Sequence, residues 1–320
     1  MANNSPLNIT TNGAGGYLWE EQYGDILIDG IQRESAIASL ARVDRLNGKR
    51  EIYSIYSGRP TVGFVDEGAE KAVTGAEFSQ TTLNVKKLAA IVVYTEELLE
   101  DARQDPRVLI NQDLAAAFAD KIDAHALGYA AGAAITSSFD SELAETSQTH
   151  ELGTGGDAFA VGVSAALADV EGNGYKPNGL IGASDLKAHL RDARNTVETA
   201  QPVYTPGYNR EPDSIYGLPI SYSSNLDGFT AAAGKKVAVV GDFSHAILGI
   251  RKDLTMRVSD QATVNIGGTQ HNLWQRNEVA VLWEMRVGFV AHDLNRAFSV
   301  ITNATRWSPF AGFVRMSGSG

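Results

Sequence analysis

The sequence predicts an α+β chain built on one very long strand and one long helix, with a compact α/β unit inserted between them. Three observations predict it. Residues 277–289, NEVAVLWEMRVGF, place Val279, Val281, Trp283, Met285, Val287 and Phe289 on one side of a period-two pattern. Glu278, Ala280, Leu282, Glu284, Arg286 and Gly288 fall on the other, mixed side, which is the mark of a strand with one face against a core. At roughly 3.3 Å per residue that strand is about 43 Å long, about twice the usual length. In residues 106–128, Ile110, Leu114, Phe118, Ile122 and Ala126 recur every four residues up to Gly128, which gives a helix of roughly 34 Å. Between 157 and 250 the pattern changes to short alternating helical and extended pieces, the texture of an α/β unit.

In chain order, residues 1–24 are polar and aperiodic, an arm that a partner's surface would order. Leu27, Ile31, Ile37, Ala38 and Leu40 share a helical face, which predicts a helix over 25–43. KREIYSIYS (49–57) and TTLNVKKLAAIVVYT (81–95) read as two strands joined by GRPTVGFVDEGAEKAVTGAEFSQ, which holds four glycines and few large apolar residues. That connection exceeds the roughly 12–15 residues of an ordinary loop, and an extended two-stranded flap resting on something else fits it better.

Thr95 is the N-cap expected for the next helix, with Glu96 and Glu97 at its positive end. Leu98 stands where a reciprocal capping box would need Glu or Gln. Asp105-Pro106 restarts the helix, whose polar face carries Asp113, Asp120, Lys121 and Asp123. Residues 129–156 are rich in Ala, Ser, Thr and Gly and read as a boundary. The α/β unit then reads as helix 157–171, strand 178–184, helix 185–195, loop 196–213, strand 217–224 and a further extended segment at 235–251. DLTMRVSD (253–260) is placed to pair with the long strand, across a polar loop at 261–276.

Composition excludes several function classes. No apolar run approaches the ~18 residues of a membrane span, and the first twenty residues hold no Lys or Arg, which argues against a secretion signal and for a chain that stays in the cytosol. The absence of cysteine removes disulfides, thiolate catalysis and cysteine zinc sites. A net charge of −11 argues against a nucleic-acid reader but suits a protein that contains nucleic acid without gripping it. His125, His150, His189, His245, His271 and His292 stand in no metal-ligand spacing. ELGTGGDAF (151–159) lacks the Gly-Lys-Ser/Thr ending of a phosphate loop, and no Gly-x-Ser-x-Gly elbow occurs. No catalytic residue, cofactor or metal is therefore expected. The one cluster singled out is Asp66, Glu67 and Glu70, with Lys71 beside them, on the flap. It is either a solvated loop surface or a rim that meets a neighbouring subunit. The want of large apolar anchors between Val65 and Phe78 favours the rim, because such a segment needs outside support to hold a fixed shape.

The order of pieces resembles the major capsid protein of tailed bacteriophages, the Hong Kong 97-like fold shared with encapsulin shells. The resembling stretches are VDEGAEKAVTGAEFSQTTLNVKKLAAIVVYTEELLEDARQD (65–105), LAAAFADKIDAHALGYAAG (114–132), GLPISYSSNL (217–226), GDFSHAILGIRKDLTMRVSDQ (241–261) and NLWQRNEVAVLWEMRVGFVAHDLNRAF (272–298). The resemblance implies an N-terminal arm and short helix (1–48) and an E-loop hairpin lying across an adjacent subunit (49–85). It further implies a P-domain with spine helix and long strand (86–151 and 251–305), an A-domain around the symmetry axes (152–250), and an unplaced tail (306–320). It also implies self-assembly of a homo-oligomer, as pentamers and hexamers, into an icosahedral head that encloses double-stranded DNA. Such a shell assembles in the host cytoplasm, without a membrane, beside a portal protein and possible separate scaffolding or decoration proteins. Some relatives carry an N-terminal scaffolding segment, whereas here the arm follows Met1 almost at once. Some join subunits by a Lys–Asn bond catalysed by a Glu. Lys71 lies on the flap, but no Asn and Glu partner aligns with it, so non-covalent assembly is expected. The alternatives are an encapsulin-like compartment shell, a cytosolic α/β enzyme with its site in 157–250, and a tail or baseplate protein.

Overall fold

The computed structural model describes residues 35–58, 62–68, 70, 71, 73–75, 77–101, 106–152, 158–187, 190, 214–227 and 235–303. The expected arm, the start of the 25–43 helix, the 196–213 loop, most of the 185–195 helix and the tail lie outside these residues. In chain order, α1 (Ala36–Leu40) leads into β1 (Arg42–Arg45). β2 (Arg50–Gly58) and β3 (Glu77–Asn84) form a hairpin, and β4 (Lys86–Thr95) continues from it. Next come α2 (Glu96–Asp101), α3 (Pro106–Leu127), and the short strands β5 (Tyr129–Ala130), β6 (Ala133–Ala134) and β7 (Thr149–Leu152). The middle consists of α4 (Ala158–Gly172), β8 (Gly179–Ala183), β9 (Ser214–Ile215), β10 (Leu218–Ser223) and β11 (Lys236–Gly241). The chain closes with β12 (Ala246–Ser259), β13 (Thr263–Ile266), β14 (Thr269–Asn272), α5 (Leu273–Arg276), β15 (Glu278–Ala291), α6 (Leu294–Ala297) and β16 (Phe298–Asn303).

β15 is the centre of a four-stranded sheet in the order β1-β12-β15-β4, antiparallel except for the β1–β12 edge. Trp283 sits opposite Met256 on one side and Ala90 on the other. The expected row is inward except at its start: Val279 is half-buried, while Val281, Trp283, Met285, Val287 and Phe289 are buried, in one continuous core with Leu114, Phe118 and Ile122 of α3. Thr95 Oγ1 accepts from the Leu98 N–H at 3.3 Å, so α2 starts on the expected cap. At the other end of the helical region, α3 stops at Gly128 in the left-handed conformation (φ +79°), whose N–H still bonds Ala124 O at 2.9 Å.

The second sheet has six strands in the order β7-β16-β11-β8-β10-β9, and β8 is buried at every position. α4 packs on it through Phe159, Val163, Ala166 and Val170, all fully buried. This sheet draws β16 from beyond the 152–250 segment and β7 from its near edge.

Three sequence readings change. Residues 42–45 are strand rather than the end of the 25–43 helix, because after α1 the backbone pairs in parallel with Ile247–Ile250 of β12. The 261–276 loop is instead the β13–β14 hairpin followed by α5, and its two-residue turn is Gly267-Gly268, both at positive φ. The 129–156 boundary is not a linker: Leu143, Ala144 and Thr146 are buried, and Thr146 Oγ1 bonds Phe298 O at 2.9 Å.

A fourth change concerns Asp123, expected on the polar face of the helix and found only 3% exposed. Its carboxylate accepts from Ser35 Oγ (2.6 Å), Ala36 N (2.8 Å) and Ile37 N (3.1 Å), which otherwise would be open donors at the start of α1. Burial outweighs these bonds and pushes its pKa up to about 6. A carboxyl whose folded pKa is raised binds its proton more tightly in the native state. Its contribution to stability is therefore greatest below the unfolded value and falls as pH rises towards about 6. Unfolding free energies from urea melts of the parent and Asp123→Asn, compared between about pH 4 and about pH 7, should shift relative to each other by an amount on the order of 3 kcal/mol. Parallel pH profiles for the two proteins would show that this carboxyl does not titrate in that window.

Candidate assembly site

The flap is anchored at one end, and at the other its described residues are exposed. At its base Leu83 and Val85 join Leu46, Ile247 and Val290 in a small core on the opposite face of the four-stranded sheet from Trp283. Two glycines paired across the strands, Gly249 and Gly288, make room for it. A Cβ on Gly249 would lie 2.4 Å from Leu46 Cδ1, and one on Gly288 would lie 2.6 Å from Leu83 Cδ2 and 2.7 Å from Asn84 O. Asp140 fixes the turn between β3 and β4, accepting from Asn84 N (2.6 Å) and Nδ2 (3.0 Å). Tyr53 of β2 lies edge-on to His292 with ring centroids 5.9 Å apart, and its hydroxyl donates to Asp44 at 3.3 Å. Burial, with Asp44 beside it, pushes the Tyr53 pKa up to about 12.

From this base β2 and β3 stay paired from Arg50–Asn84 to Gly58–Glu77. Nine residues of strand carry the tip roughly 30 Å away. There Val62, Phe64 and Val73 stand fully in solvent. The sequence-predicted cluster is at this tip: Asp66, Glu67, Glu70 and Lys71 are all exposed, with no ion-pair partner among the described residues. Phe64 is the residue that sequence reasoning passed over. It sits two positions before Asp66, and a lone aromatic in a polar, glycine-bearing run is itself the signal that could have found it.

A second apolar surface lies at the far end of the four-stranded sheet. Ile91, Leu98, Val258, Ile266 and Trp274 are exposed on β4, α2, β12, β13 and α5, elements grouped around the end of β12 and the start of β15. Large exposed apolar side chains in groups mark contact surfaces. Between the two ends the outer face of the sheet is ionic. Glu284, on the mixed side of the strand, is only 8% exposed and pairs with Lys87 (2.8 Å) and Arg286 (3.5 Å). It lies beneath long surface side chains, not in the core. The bond from Lys87 therefore outweighs desolvation and holds its carboxyl below the usual range.

Among the described residues no three His, Asp or Glu side chains are placed to hold a metal ion. Among those residues no helix is long and apolar enough to cross a membrane. What the geometry offers is large apolar side chains exposed at both ends of the described chain.

The same layout occurs in known proteins. The chain is 26% identical over 304 residues to the probable major capsid protein gp17 of Mycobacterium phage L5, covering 90% of each chain. It is 22% identical to the major capsid protein of Staphylococcus phage 80alpha, covering 88% of this chain and 83% of that one. A chain from Microbacterium phage Oxtober96 has a similar structure, with a TM-score of 0.69 at 23% identity over 84% of this chain and 91% of that one. A chain from the capsid of a native GTA particle superposes with a TM-score of 0.62 at 17% identity, covering 93% of this chain and all of that one. The phage capsid family matches residues 15–302, from the arm to the last strand, and the chain belongs to that family.

Proposed function

We propose that this protein is the major capsid subunit of a tailed phage, and that many copies of it assemble into the icosahedral head that encloses double-stranded DNA. The observation that carries the reading is the family match over residues 15–302. In the Hong Kong 97-like arrangement the flap is the E-loop, α3 the spine helix, the four-stranded sheet the P-domain and the six-stranded sheet the A-domain. The contact surfaces fit these roles. An anchored flap with Phe64 and Val73 in solvent needs a neighbour to cover it, and so do Ile266 and Trp274 at the far tip. The long strand then has a mechanical reason: packed on α3, it gives a flat subunit a stiff edge between its contacts. The charge of −11 lets DNA be packed without adhering to the wall. The partners implied are further copies of the chain in pentamers and hexamers, with a portal and possible scaffolding or decoration proteins. The shell belongs to the virion and forms in the host cytoplasm, as a structural rather than catalytic protein.

Negative-stain microscopy of the protein expressed alone tests this directly. Uniform icosahedral particles are expected, and dispersed monomers would overturn it. Hydrogen exchange gives a second check. Residues 62–75 should exchange freely in the monomer and become protected in shells, while equal, strong protection in both states would mean that the flap needs no neighbour. Replacing Asp66, Glu67 and Glu70 together with Ala should leave the monomer's melting temperature within about 2 °C of the parent and reduce shell yield. Exposed charges contribute little to folding, yet at a repeated contact they act many times in one particle.

A further inference from the structure

One groove has no role in the fold described above. It opens between the start of β4, the end of α3 and the 137–140 loop, with a volume of about 460 Å³. Its floor is apolar, formed by Leu88, Ile122, Phe139 and Val287, and its rim carries Lys86, Lys87 and Lys121. Lys87 is held by Glu284, but Lys86 and Lys121 are exposed and in no ion pair among the described residues. Asp140, the one acid on the groove wall, is occupied by the backbone and side chain of Asn84. On the same wall His125 receives the Ser138 N–H on Nδ1 at 3.1 Å, which leaves its Nε2 to carry the proton and act as a donor. In a chain of net charge −11, a donor-rich groove with two unmatched lysines over an apolar floor calls for an acidic occupant that has an apolar anchor.

We infer that the occupant is the flap tip of a second copy of this chain, with Phe64 on the apolar floor and Asp66 and Glu67 against Lys86 and Lys121. The inference rests on the shell reading and names the receiving surface for the flap. Charge and shape complement each other: an aromatic followed two and three residues later by two carboxylates meets an apolar floor with a cationic rim. The chain's own flap cannot make this contact. Lys86 lies two residues beyond Asn84, at the base of the hairpin, and the paired strands hold the acidic run roughly 30 Å from it. The contact is therefore between copies, and because each copy has one tip and one groove it is head-to-tail. Such a contact propagates around a ring.

The absence of native cysteine gives a direct test. The full-length double variant Glu67→Cys/Lys121→Cys, assembled and treated with a short bismaleimide, should give a ladder of covalent multimers, whereas each single variant should stay monomeric on a denaturing gel. A second measurement reverses charge. Lys86→Glu/Lys121→Glu and Asp66→Lys/Glu67→Lys should each lower shell yield roughly tenfold, and the four changes together should recover most of it. These side chains are exposed, so circular dichroism melts of the monomers should match the parent. Particles from the parent together with no ladder, or with normal particles from both charge-reversed variants, would overturn the inference and leave the shell reading intact. Absence of particles from the parent would overturn both.

Discussion

Trp283→Ala should abolish soluble subunit and shell alike. Trp283 is 1% exposed at the middle of β15, flanked by Met256 of β12 and Ala90 of β4, and it lies in the core shared with Leu114, Phe118 and Ile122 of α3. Its indole Nε1 has no acceptor among the described residues, so packing alone holds it and truncation leaves a void with nothing to fill it. Removing a buried Trp costs about 3–5 kcal/mol, against a typical domain stability of ~5–15 kcal/mol. The void also falls where the inward row fixes the register of the strand, so pairing on both sides weakens with it. Glu284→Ala, one residue away on the outer face, removes an ion pair beneath surface side chains and should change the urea midpoint far less. The soluble yield of each variant, with the urea midpoint of whatever is recovered, decides the matter. A Trp283→Ala protein as stable as the parent would mean that β15 is not the rigid centre of the subunit.

Gly288→Ala should separate folding from assembly. The added methyl would sit 2.6 Å from Leu83 Cδ2 and 2.7 Å from Asn84 O, and the second of these is backbone that cannot swing away. Relief requires lifting the β3–β4 turn, and with it the base of the flap, off the sheet. Overpacking of this kind costs about 1–3 kcal/mol, which a domain of ordinary stability survives. The subunit should remain folded with a lowered melting temperature. A small tilt at the base is multiplied along a hairpin of roughly 30 Å, so the tip misses its target and particles are lost. Microscopy of the purified variant beside its thermal melt is the measurement. Normal shells from a destabilised protein would show that the flap is not aimed by its base.

The strand at 278–291, the helix ending at Gly128 and the flap were legible in the sequence because each rests on a local rule: alternation, a four-residue step with a glycine stop, and a long polar excursion between two β-rich runs. Phe64, by contrast, belongs to no periodic pattern, and in a run read for its acids nothing but its aromatic side chain marks it. The turn at Gly267-Gly268 was read as part of a polar loop: two adjacent glycines are a hairpin signal, but the polar strand Thr269–Asn272 shows no alternation to go with it.

By itself, then, the sequence determined the long strand, the long helix and the flap, which side of the long strand faces inward, and that the chain carries a charge unsuited to gripping nucleic acid. Tertiary structure alone decided the rest. Asp123 reads as one more polar-face acid until α1, more than eighty residues earlier in the chain, brings Ser35, Ala36 and Ile37 to it. Gly249 and Gly288 carry no signal until β12 and β15 pair and Leu46 and Leu83 need their space. Residues 42–45 and 298–303 take their places only because strands distant in sequence offer them partners. Periodicity is a property of neighbours along the chain, whereas hydrogen-bond satisfaction and close packing depend on neighbours in space.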